Sequence, residues 1–103
     1  MAELKITATN FETEVLHSTK PVLIDFYADW CGPCKMLAGT IERLAKESDG
    51  SYRVGKVNVD DQPELAARYN VMNIPTLIVF KNGEAVNKNV GVIPKGKILE
   101  MLK

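Results

Sequence analysis

The two cysteines of this 103-residue chain stand three positions apart, in the string Trp30-Cys31-Gly32-Pro33-Cys34-Lys35. In a helix, positions three apart have Cα atoms about 5 Å from one another. That separation lies inside the window of roughly 4.4–6.8 Å that a disulfide needs. A staple across so small a loop removes little chain entropy, ~2 kcal/mol if the loop formula holds at this size. A second thiol that attacks within its own molecule, by contrast, gains the full advantage of proximity. The string follows an apolar run and precedes a helical period, which places it where a strand hands over to a helix. The unpaired N–H groups and positive dipole end of that helix favour a thiolate. Cys31 is expected at or just before the first turn, within reach of solvent, and is therefore the nucleophile. Cys34 shares the stripe of Leu37, Ala38 and Ile41, so it is expected to be shielded and to act as the resolving thiol. Pro33 fixes one backbone angle between them. Zinc would need about four ligands. The chain offers only this pair and His17, which is placed on the surface late in another helix, so no metal site is expected. A C-x-x-C beside a βαβ pattern reads instead as a redox centre.

Asp25 is the second residue with chemistry in it. Its neighbours Leu23, Ile24, Phe26 and Tyr27 suggest burial, and burial raises a carboxyl pKa toward neutrality. Such a group could accept the Cys34 proton. The alternative is a carboxylate at the strand end that reaches water, and the strand alone does not separate the two. Ile74-Pro75-Thr76 opens an apolar strand, where proline has no ladder hydrogen bond to lose. The default isomer there is trans, and nothing local makes Pro75 a site residue. Gly91 falls at a strand end, as a bulge, a close backbone approach or an ordinary loop glycine.

The elements that must hold these residues follow from pattern. Residues 4–8 alternate as a first strand, and Thr9 with Glu12 fits a capping box for a helix whose apolar face is Phe11, Val15 and Leu16. The run 22–28 is apolar on both faces apart from Asp25, as suits a central strand covered on both sides. A long amphipathic helix starts at the cysteines, and 52–59 reads as the next strand. Asp61 with Glu64 suggests a second capping box, opening a helix that turns Leu65, Ala66 and Tyr69 inward. Strands over 76–81 and 84–90 flank Asn82-Gly83, a strong hairpin signal. Pro94 suits the first turn of a last helix burying Ile98, Leu99, Met101 and Leu102. The order βαβαβαββα predicts an α/β fold with a central mixed sheet and helices on both faces.

Composition narrows the partners. Residues 1–103 are expected to form one domain. Thirteen basic side chains balance thirteen acidic ones, which argues against nucleic acid or anionic lipid as a partner. The apolar run Leu77-Ile78-Val79-Phe80 is far too short to span a bilayer. Met1-Ala2-Glu3-Leu4-Lys5 carries no secretory pattern, so the expected address is the cytosol.

From end to end the chain resembles the thioredoxin family. The resemblance rests on Asp25-Phe26, Trp30 through Met36, Lys56-Val57-Asn58-Val59-Asp60, Ile74-Pro75-Thr76, Phe80-Lys81-Asn82-Gly83 and Gly91, in the family's order. It implies the thioredoxin fold and a protein-disulfide reductase that maintains protein thiols and donates electrons to reductive enzymes. Its implied partners are disulfide-containing proteins and a flavin-containing thioredoxin reductase; no cofactor is expected, and a monomer is the default for a protein that meets many partners. It further implies that Pro75 is cis against the cysteine pair, and that Lys56 lies near Asp25 and modulates its charge. Trp30, Gly32, Pro33, Ile74, Pro75 and Gly91 would form the surface that receives substrate. Three positions depart from the family pattern. Gly39 stands where a helix-kinking proline is common, Tyr27 where a second tryptophan is common, and Asn73 where a smaller residue is common. A redox-independent binding subunit using the same surface is the alternative function. An oxidase or isomerase fits the Gly32-Pro33 dipeptide less well.

Overall fold

The computed structural model describes residues 2–103; Met1, the first residue of the expected domain, lies outside them. Five strands form one sheet in the order β1-β3-β2-β4-β5: β1 (Leu4–Lys5), β2 (Val22–Tyr27), β3 (Arg53–Asn58), β4 (Thr76–Lys81) and β5 (Glu84–Val90). Three helices, α1 (Gly32–Glu47), α2 (Pro63–Arg68) and α3 (Lys95–Met101), and a short wide turn of helix at Glu12–Leu16 cover it. β1, β3 and β2 are mutually parallel, while β4 runs antiparallel to both β2 and β5. This is the expected mixed sheet.

Strand alternation splits the core in two. Val22, Ile24, Phe26, Ile78 and Phe80 face the wide turn and α2, where they meet Phe11, Val15 and Leu65. Leu23, Leu77 and Val79 face α1 and α3, where they meet Leu37, Ile41, Leu44 and Ile98. Leu16 and Tyr69 on the first side, and Leu99 and Met101 on the second, are only half-buried against these clusters. Asp25 follows Leu23 by two residues and so belongs to the α1 face, and Lys56 follows Val54 onto the same face of β3.

Three local expectations fail where other hydrogen bonds, near in sequence or far, take up the backbone N–H groups involved. β1 ends at Lys5 rather than 8, because Asn10 Oδ1 takes the Thr7 N–H (2.8 Å) and Gln62 Oε1 takes the Ala8 N–H (2.9 Å). The Thr9–Glu12 capping box is absent. The Thr9 N–H donates to Thr7 Oγ1, and the His17 N–H reaches back five residues to Glu12 O (2.9 Å), which widens the turn. Asp61 does not cap α2 either. Its N–H and that of Asp60 turn to Asn58 Oδ1, and α2 opens at Pro63 after Gln62 with no side-chain cap. The 76–81 and 84–90 strands form as expected around Asn82-Gly83, whose φ values of 53° and 81° are those a tight hairpin turn requires. Among the described residues no helix is long and apolar enough to cross a membrane.

Candidate active site

β2 ends at the sheet's carboxyl edge, and Ala28, Asp29 and Trp30 carry the chain into α1. Cys31 caps that helix from an extended backbone (φ −86°, ψ 113°), its Sγ accepting the Cys34 N–H at 3.2 Å. A sulfur in that position is held by the helix N-terminus that favours its anionic form. The two cysteines are joined as a disulfide with Cα atoms 5.2 Å apart.

One expectation is corrected here. Cys31 is no more open than Cys34, for both are 4% exposed. Ile74 and Ala28 pack on the pair, with the Ile74 carbonyl oxygen 3.8 Å from Cys31 Sγ. The two sulfurs differ in what surrounds them rather than in how much is exposed. Cys31 lines a groove with Trp30, Gly32, Pro33, Met72, Asn73 and Ile74. Cys34 lines a cavity of about 160 Å³ with Asp25, Tyr27, Lys35, Ala38 and Lys56, enough room for a few water molecules.

Asp25 is 1% exposed, and its Oδ1 has no hydrogen-bond partner among the described residues. Its pKa is pushed up to about 7, first by burial, against the pull of the Lys56 charge and with a smaller push from Glu3. Lys56 stands opposite Asp25 in the parallel register, yet its Nζ pairs with Glu3 (3.6 Å) and lies 4.4 Å over the centre of the Tyr27 ring.

On the groove side, Trp30 is 70% exposed and donates its indole N–H to Asp60 Oδ2 at 2.8 Å. The Ile74–Pro75 bond is cis. The Gly91 N–H donates to Pro75 O at 2.8 Å from a backbone with φ 101°. That φ is what calls for glycine at 91, since a Cβ there would meet nothing within 4 Å. Gly32, Pro33 and Ile74 thus line the groove beside Cys31 with Trp30, Pro75 follows Ile74 and is bonded by Gly91, and His17 lies exposed beside Glu12. Among the described residues no three metal-ligating side chains cluster.

Three residues escaped sequence reasoning. Sequence assigns no role to Asp60, which stands in the string that carries the family resemblance, to Met72, or to Glu3 in the N-terminal stretch. The doublet Asp60-Asp61 after a strand was the one usable signal, since adjacent acids in a loop need a reason to sit together.

The sequence is similar to known proteins over nearly all of its length. A thioredoxin family model matches residues 2–103. The thioredoxin of Staphylococcus epidermidis is 49% identical over 102 residues, which are 99% of this chain and 96% of that one. The thioredoxin of Staphylococcus saprophyticus is 47% identical over 103 residues, covering 100% and 97%. Thioredoxin 1 of Nostoc sp. is 42% identical over 102 residues, covering 99% and 95%.

Proposed function

Because the chain belongs to the thioredoxin family, we propose that it reduces protein disulfides with Cys31 attacking, Cys34 resolving and Asp25 accepting the Cys34 proton. It is a thiol–disulfide oxidoreductase that acts on disulfide-containing proteins through its C-x-x-C pair. The observation that carries the division of labour is the placing of the pair, with Cys31 at the N-cap of α1 beside the groove and Cys34 beside Asp25.

In the reduced protein the Cys31 thiolate attacks one sulfur of a substrate disulfide. An S–S bond forms to Cys31, and the other substrate sulfur leaves as a thiolate. Cys34 then gives its proton to Asp25 and attacks Cys31 Sγ, which restores the intramolecular disulfide and frees the second substrate sulfur. Two electrons pass from the dithiol to the substrate. A carboxyl whose pKa is about 7 is matched to this transfer at neutral pH. Lys56 supports the transfer by its charge near Asp25. Trp30, Gly32, Pro33, Ile74, Pro75 and Gly91 receive the substrate segment against the groove. A flavin-containing thioredoxin reductase returns the electrons, and the protein works as a one-domain monomer in the cytosol.

Single-cysteine variants test the assignment. Incubated with a disulfide-containing protein, Cys34→Ser is expected to accumulate a covalent mixed disulfide, and Cys31→Ser to form none and turn over nothing. Capture through Cys34 in the Cys31→Ser protein would reverse the two roles.

A further inference from the structure

The buried Asp25 carboxyl has a lysine opposite it and does not pair with it. The reason lies at the start of β1. β1 runs parallel to β3, with Leu4 opposite Gly55 and Lys5 opposite Lys56. Glu3 therefore falls one step further back, beside Val54, on the face of the sheet that carries Lys56 and Asp25. Its Oε2 lies 3.6 Å from Lys56 Nζ, and both side chains are largely covered, at 18% and 28% exposed. The Tyr27 ring supports the same ammonium from below at 4.4 Å. Held by two partners, Lys56 leaves Asp25 Oδ1 with none.

We propose that Glu3 is a positioning residue for proton transfer at Cys34: it anchors the Lys56 ammonium away from Asp25, so that the carboxyl can hold a proton. The inference deepens the reading of Asp25 as proton acceptor and rests on it. Other charged groups do not supply the effect. Around the Asp25 cavity stand Asp29 at the end of β2 and Lys35 on α1, both exposed, while β4 offers only Leu77. Glu42 on α1 feels the Lys56 charge but is exposed and already bonded to Lys46. Glu3 is the carboxylate that touches Lys56. Its negative charge also raises the Asp25 pKa directly, in the same direction as the anchoring.

The experiment is a titration of the Asp25 carboxyl carbon by NMR in the oxidised protein, where neither cysteine titrates. It compares the parent, Glu3→Gln, Lys56→Met and the double variant. With Glu3→Gln, Lys56 is free to turn to Asp25, and the midpoint is expected to fall by roughly one pH unit. In the Lys56→Met background the same change is expected to move it by less than half as much. Glu3→Asp, which keeps the charge on a shorter stem, should restore part of the midpoint. The pH profile of mixed-disulfide resolution should follow the titration. An unmoved midpoint, or equal shifts with and without Lys56, overturns the anchoring role of Glu3 while leaving Asp25 as acceptor. A midpoint that moves while the rate profile stays put removes Asp25 from the proton transfer, and Glu3 with it.

Discussion

On the Cys31 side the disulfide meets Trp30 and Met72, which are 70% and 88% exposed; on the Cys34 side it meets Asp25, which is 1% exposed. One short bond thus borders two unlike media. Exposed apolar side chains around a reactive sulfur are a surface that gains free energy when another chain covers it. A carboxyl without a partner in a low-dielectric cavity does the opposite, since it destabilises the fold that contains it. Recognition needs contact with water until the substrate arrives, whereas pKa tuning needs the carboxyl itself covered and left without a partner. Placing the two cysteines one helical turn apart, at the cap and inside the first turn of α1, allows a single site to have both.

The sharpest way to break this contrast is Asp25→Asn. The folded pKa of about 7 lies above the 3.8 ordinary for an aspartate, so between these pH values the native state holds a proton that the unfolded chain has released. Stability therefore falls as pH rises through that window, and the full penalty is present above pH 7. Three pH units correspond to about 4 kcal/mol at 1.36 kcal/mol each. Asp25→Asn is expected to be more stable than the parent by about that much above pH 8, and by little near pH 4, in denaturant titrations. Mixed-disulfide resolution should slow roughly 10²-fold at neutral pH, in keeping with loss of a general base. A stabilisation that does not vary with pH would mean that ionisation of Asp25 is not what the cavity is built around.

How much of this was legible in the sequence depends on how local the physics is. The cysteine pair could be read because strand, turn and helix succeed one another within a few residues, and the β4–β5 hairpin because Asn82-Gly83 fixes its own turn. Burial of Asp25 was legible only in part: the apolar residues on either side suggest it, but the strand alone does not exclude a carboxylate that reaches water. The end of β1 was not legible, because the Ala8 N–H and the Gln62 side chain that ends it lie 54 residues apart; the start of α2 was not, because Asn58 Oδ1 outcompetes the capping box for the Asp60 and Asp61 N–H groups. Distance in sequence also hid Asp60 under Trp30, Glu3 beside Lys56 and Ile74 over Cys31. That last contact is why Cys31 is as covered as Cys34. The cis bond before Pro75 came from family resemblance alone, since local preference favours trans.

On the groove side the comparison can be sharpened with Asp60→Ala. Asp60 is exposed, and its one side-chain contact of note is the Trp30 indole N–H. A charge-assisted bond in such a setting contributes about 1 kcal/mol. Losing it should let Trp30 swing, changing its emission and raising KM for protein substrates roughly fivefold, while the Asp25 midpoint and the pH profile stay in place. Asp60→Asn retains the acceptor and should recover most of the affinity. A shifted pH profile in Asp60→Ala would show that the groove and the cavity are coupled.

The smallest effect is expected where neither side is touched. Gly39 is exposed near the middle of α1, which runs unbroken from Gly32 to Glu47, and a Cβ added there meets nothing within 4 Å. Glycine inside a helix costs about 1 kcal/mol relative to alanine, so Gly39→Ala should raise stability by about that amount and Tm by roughly 4–8 °C. Because residue 39 borders neither the groove nor the Asp25 cavity, kcat, KM and the Asp25 midpoint should all match the parent. That outcome makes α1 a rigid post that holds two environments apart. If kcat falls while the midpoint and KM hold, the helix must yield as the disulfide opens and closes, and Gly39 supplies that softness.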